Sequence, residues 1–196
     1  FTGQPFSLPA GDVNATLKVG ADSRSLNAES TRSGVYESRD LSRERGFASA
    51  NLSLPIASRR DDILPMLGQL SANLNLGYEN LSDFGGLSTF GLSMNWTPAT
   101  PLSLILSYTH EQGSPSVDQL NAPVVATPLT PVYDFATGQT VMVTRTTGGN
   151  AALDADTREV VKLGVNLRPF ANHEFRLSSN YTWSRTEDEI ASFPTL

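Results

Sequence analysis

The alternation of apolar and small polar residues between Leu70 and Trp96 constrains this chain more than any other feature. Leu70, Ala72, Leu74, Leu76 and Tyr78 interleave with Ser71, Asn73, Asn75, Gly77 and Glu79. After a break, Phe90, Leu92, Met94 and Trp96 interleave with Gly91, Ser93, Asn95 and Thr97. A period of two puts the two sets on opposite faces of a β-strand; a helix would scatter them around its circumference. The pattern recurs over 13–22, 47–54, 102–108 (with Ile105 as an inward exception), 159–167 and 175–183. Small polar residues stand opposite the apolar ones each time.

This repetition predicts an all-β fold, an up-and-down antiparallel transmembrane β-barrel segment of about seven strands. Each segment holds about 8 to 11 residues, enough for a strand tilted near 45° to cross the hydrocarbon. Spanning barrels need about eight strands or more, so the barrel is expected to be incomplete. Hydrophobic residues make up only 39%, mean hydropathy is -0.21, and no apolar run approaches the roughly 20 residues of a spanning helix. Barrel strands escape that test because they dilute apolar residues one to one.

A net charge of -6 argues against a nucleic-acid partner. With no cysteine there is no disulfide framework and no zinc-thiolate site. The chain opens at Phe1 with no basic stretch or apolar core of a signal peptide, which suggests a piece of a longer, processed protein.

Breakers and charges mark the connections. Phe1 to Asp12, Pro55 to Pro65, Thr97 to Pro101 and Arg168 to His173 are predicted turns, rich in Pro and Gly. Residues 23–45, carrying Arg24, Arg32, Arg39, Arg43 and Arg45 among Glu29, Glu37, Asp40 and Glu44, are predicted to be a solvated loop. Residues 80–88 and 109–157 are the other connections on that side, the last with a small hairpin whose turn is Ala136-Thr137-Gly138-Gln139. Long and short connections then alternate, as in outer-membrane barrels. Trp96 and Phe170 gather near the short-turn side, and Tyr78, Tyr108, Tyr181 and Trp183 near the long-loop side, as in interfacial girdles.

Two stretches carry a family resemblance: Ser107 to Pro123 with Pro115-Ser116 and Asp118-Gln119-Leu120, and Thr146 to Arg168 with Gly149-Asn150, Leu153, Asp154, Asp156 and Leu163-Gly164. Together they resemble the late barrel region of TonB-dependent outer-membrane receptors, over roughly residues 70 to 185. The chain departs from the family pattern at Ala151-Ala152, at Asp154-Ala155-Asp156 and in the extra segment Pro131 to Val143. The resemblance implies that residues 1–196 are part of the barrel domain, without its plug domain and barrel C-terminus. It also implies uptake of a scarce solute such as a ferric siderophore, vitamin or glycan. Transport would be energised by TonB through the missing plug, in the bacterial outer membrane and in contact with its lipid. The loops 23–45, 80–88 and 109–157 would face the solute.

Specific sites are sparse. His110 and His173 lack ligand-spaced partners, so no metal site is expected. Thr146 to Asn150 reads as a turn, lacking the Lys-Ser/Thr of a phosphate loop. Asp154, Asp156 and Glu187-Asp188-Glu189 read as solvated carboxylates. No nucleophile, base and orienting acid fall together, so neither a catalytic site nor a cofactor is expected. Lys18, Asn73, Asn75, Asn95, Lys162, Asn166 and Arg176 are expected to point into the interior. No ligand-binding residue is singled out. The alternatives are a soluble all-β ligand- or carbohydrate-binding adhesin module and a small membrane-barrel enzyme.

Overall fold

The computed structural model describes residues 1–32, 35–170 and 174–190 and, of residues 26, 28, 30–32 and 35–39, the backbone alone. The chain order is β1 (Thr2–Gly3), β2 (Ser7–Leu8), β3 (Gly11–Asp12), β4 (Asn14–Arg32), β5 (Val35–Ala57), β6 (Gln69–Leu81), β7 (Gly85–Ala99) and β8 (Leu102–Gly113). The short helix α1 (Val117–Asn121), β9 (Val125–Asp134), β10 (Gln139–Thr147), β11 (Asp156–Leu167) and β12 (Leu177–Glu187) follow. One 8-stranded antiparallel sheet runs β1-β4-β5-β6-β7-β8-β11-β12, and β9-β10 and β2-β3 form separate hairpins.

Register follows the apolar pattern, because slipping one residue would turn every apolar side chain to the other face. One row of cross-strand partners reads Ala15, Leu52, Leu74, Leu92, Tyr108, Val161, Trp183. The row beside it, on the opposite face, reads Asn14, Ser53, Asn73, Ser93, Ser107, Lys162, Thr182. The sheet therefore has one apolar and one polar face over its whole width.

Neither face is covered by a second sheet among the described residues. Leu92 is 46% exposed, Leu106 44%, Leu163 41% and Tyr181 60%. Among the described residues the buried apolar side chains are Ala10, Val13, Ala57, Leu81, Leu87, Pro115 and Leu120, a set too small for the core of a sandwich. This is a β-barrel wall segment, open at β4 and β12 apart from the short β1 pairing at Thr2–Thr16 and Gly3–Ala15. No helix among the described residues is long and apolar enough to cross a membrane.

Several expected loops are strand. Residues 23–32 and 35–45 continue β4 and β5 as a paired ribbon from Ser23–Glu44 to Arg32–Val35, beyond the last β5–β6 pair at Arg45–Leu81. Roughly ten residues a side give the ribbon a reach of about 34 Å. It is polar on both faces, so the alternation that marks the other strands is missing there. Phe1 to Asp12 is not a plain turn: β1 joins the sheet as its eighth strand, and β2 and β3 form a miniature hairpin. β5 runs through Pro55 to Ala57 with a bulge against β6, so that connection begins at Ser58.

The link predicted over 80–88 shrinks to Ser82–Phe84, which breaks the strict long-and-short rhythm. β8 extends to Gly113, β11 starts at Asp156, and β12 starts at Leu177, after Phe175. The small hairpin is present around residues 135–138 with longer arms than expected. His173 lies outside the described residues.

Candidate ligand-facing rim

At the end of the polar face where β4 and β5 outrun their neighbours, strand alternation places a run of charged side chains. Asp22 and Arg24 of β4 stand opposite Arg45 and Arg43 of β5. Arg45 Nε lies 2.6 Å from Glu79 Oε2, and its Nη1 lies 3.5 Å from Asp22 Oδ2. The Arg45 guanidinium also sits 4.8 Å from the centre of the Phe47 ring. That ring lies across Gly20, where a β-carbon would be only 2.6 Å from it. Lys18, Ser49, Asn51, Asn75, Gly77, Leu87 and Thr89 complete a concavity of about 370 Å³ around this cluster.

Arg43 sits deeper. Its side chain and that of Asp83 are each 13% exposed. Nε donates to both oxygens of Asp83, at 2.7 and 2.9 Å, Nη1 donates to Ser114 Oγ at 3.2 Å, and Nη2 donates to the Pro115 carbonyl at 2.9 Å. This arginine draws the residues leaving β8 toward β5.

Those residues form α1. Ser116 is its N-cap: Ser116 Oγ accepts from the Gln119 amide at 3.1 Å, and Gln119 Oε1 accepts from the Ser116 amide at 2.8 Å. Leu120 is buried. The returning chain closes on the helix, with Gly149 donating to the Ala122 carbonyl at 2.9 Å and Asn150 to the Gln119 carbonyl at 2.7 Å. The Ser-x-x-Gln step and the Gly-Asn turn that carry the resemblance are thus in direct contact. Asn150 Oδ1 accepts from the Ala152 amide, so a turn begins at Asn150, whereas Thr146 and Thr147, expected in that turn, are paired strand residues of β10.

β9 and β10 extend from this root. At their tip Tyr133 and Phe135 meet edge to face with centroids 4.9 Å apart. Asp134 accepts from the Thr137 hydroxyl at 2.7 Å and the Ala136 amide at 2.9 Å, which hold its carboxyl below the ordinary aspartate range.

The expected interior residues fall as the alternation requires. Lys18, Asn73, Asn75, Asn95, Lys162 and Asn166 share the polar face by register. Arg176 lies just before β12, lining a second polar recess with Arg168, Ser103 and Asn166. His110 belongs to the other face, at the margin of its apolar band, with Nδ1 3.6 Å from Glu159 Oε1. Glu159 also accepts from Tyr108 Oη at 2.9 Å. Among the described residues no group of three or more His, Asp or Glu is placed to hold a metal. Arg43, Arg45 and Asp83 do not stand out as a cluster with Glu79 in the sequence, because the segments of the first three read as loops and only Glu79 falls in a strand. Charges at i and i+2 in both arms, Asp22/Arg24 and Arg43/Arg45, were the available signal.

As a whole, the fold is similar to the siderophore receptor PirA from Pseudomonas aeruginosa, with a TM-score of 0.57 and 17% identity over 89% of this chain. The chain spans 29% of that receptor's structure, less than a third of its length. No protein-family model matches the sequence. No curated protein matches it. The likeness fixes a class of fold, the antiparallel wall of a β-barrel.

Proposed function

We propose that this chain is part of the barrel domain of a TonB-dependent outer-membrane receptor, whose plug domain and barrel C-terminus lie outside residues 1–196. Its work is active uptake of a scarce solute such as a ferric siderophore, vitamin or glycan. TonB would act through the plug, and the apolar face would lie against outer-membrane lipid. The β4–β5 ribbon and the segment 114–155 are the solute-facing parts, and the reading involves no catalytic chemistry.

One observation carries the reading: in-register apolar side chains stand uncovered across the sheet, Leu76, Leu92, Leu106 and Leu163 among them. In water such a face would be an aggregation surface, whereas in a bilayer it is the required outer wall. The resemblance of Pro115-Ser116, Gln119-Leu120 and Gly149-Asn150 adds the receptor family, and the fold similarity supports it.

The test is an outer-membrane assembly assay of the whole protein with arginine placed on each face. Leu92→Arg faces hydrocarbon and is expected to cost about 2–4 kcal/mol of assembly. Asn75→Arg faces the interior and is expected to leave assembly close to wild type. Equal tolerance of the two, or the reverse order, overturns the proposal.

A further inference from the structure

We infer that Arg43 is a positioning residue for solute capture, a latch that fixes the loop 114–155 to the barrel wall. The inference rests on the reading above, in which that loop faces the solute. One guanidinium joins three stretches far apart in sequence: β5, the Ser82–Phe84 turn through Asp83, and the entry to α1 through Ser114 and Pro115. Pro115 is fully buried at this junction. β9 leaves α1 within a few residues along the chain, and the segment after β10 returns to it through the Gly149–Ala122 and Asn150–Gln119 hydrogen bonds. The hairpin is therefore joined to the sheet by way of α1, and α1 is tied to the wall at Arg43.

The chemistry requires arginine. Its planar fork presents donors in several fixed directions, whereas a lysine ammonium is a compact point charge on a flexible stem. The neighbouring charges are committed elsewhere. Arg24 stands opposite Arg43, 3.8 Å from Asp22, and Arg45 is held by Glu79 and Asp22. Asp83 alone supplies carboxylate oxygens to Arg43 among the described residues. Removing either partner leaves a largely buried charge without its counter-ion, so the junction opens instead of re-pairing.

The experiment is amide hydrogen exchange on the whole protein in bilayers, comparing wild type with Arg43→Ala, Arg43→Lys and Asp83→Asn. For Arg43→Ala, exchange at Leu120, Ala122, Gly149 and Asn150 should accelerate on the order of 10- to 100-fold. The paired amides of β6 and β7 should stay at wild-type rates. Arg43→Lys should recover only part of the protection, and Asp83→Asn should resemble Arg43→Ala. Unchanged exchange over 114–150, or equal acceleration in β6 and β7, overturns the latch. If Arg43→Ala fails to assemble, the other two variants decide by the same criterion. Failure of the wild-type wall to insert would instead sink the membrane reading, and exchange in detergent micelles would still report on the latch.

Discussion

Gly149 donates its amide hydrogen to the carbonyl of Ala122 over 2.9 Å, and a β-carbon added to Gly149 would lie 2.5 Å from the Ala122 nitrogen. The neighbours at that point are backbone atoms of Leu120, Asn121 and Ala122, which have no flexible end to move aside. Gly149→Ala should therefore lift the returning chain off α1 and expose the loop to limited proteolysis between residues 113 and 155. Gly164 is the control. Its added β-carbon would meet the Asn180 side-chain oxygen at 3.2 Å and Ile105 Cβ at 3.6 Å, so Gly164→Ala should leave the digestion pattern unchanged.

The α1 cap offers a graded version of the same test. Ser116→Ala removes the acceptor for the Gln119 amide and should destabilise the segment by about 1 kcal/mol. Exchange at Leu120 and Ala122 should rise by about tenfold or less while the sheet is unaffected. Ser116→Asp, which keeps an acceptor at the cap, should restore protection.

At the hairpin tip, the Thr137 hydroxyl and then the Ala136 amide lower the Asp134 pKa. A carboxyl whose pKa falls on folding contributes stability above its unfolded value and loses it as the pH drops through the folded one. The amide resonances of Ala136 and Gly138 should hold steady from neutral pH to about pH 4, where an ordinary aspartate is half protonated, and shift only below it. Asp134→Asn should abolish that acid transition. A transition centred at or above the ordinary range would contradict this assignment.

At the opposite end of the sheet, Trp96 Nε1 donates to the Leu67 carbonyl at 2.7 Å and holds the connection between β5 and β6 against β7. Trp96→Phe keeps an aromatic ring, though a smaller one, and removes the donor, whose loss should cost about 1 kcal/mol. Protease sensitivity over residues 58–68 should increase. The same substitution should not alter the 113–155 loop.

The period-two alternation by itself determined the all-β class and the face each side chain takes in the seven main strands. Those follow from local geometry, since neighbouring side chains on a strand point in opposite directions and any odd-residue slip would take Leu52, Leu74 and Leu92 off one face. Ile105, the one apolar residue on the polar side of its strand, is explained by Gly164 opposite it, which leaves room for the branched side chain. The tertiary structure alone decided where strands end and what joins at the rim. In residues 23–45 both faces are polar, so no contrast in the sequence distinguishes a paired ribbon from a loop, and backbone pairing with the other arm settles it. The contacts of Arg43 with Asp83 and Ser114 span 40 and 71 positions. No local pattern encodes such distances: they arise because the meander carries the extended part of β5, the β6–β7 turn and the end of β8 to the same end of the sheet.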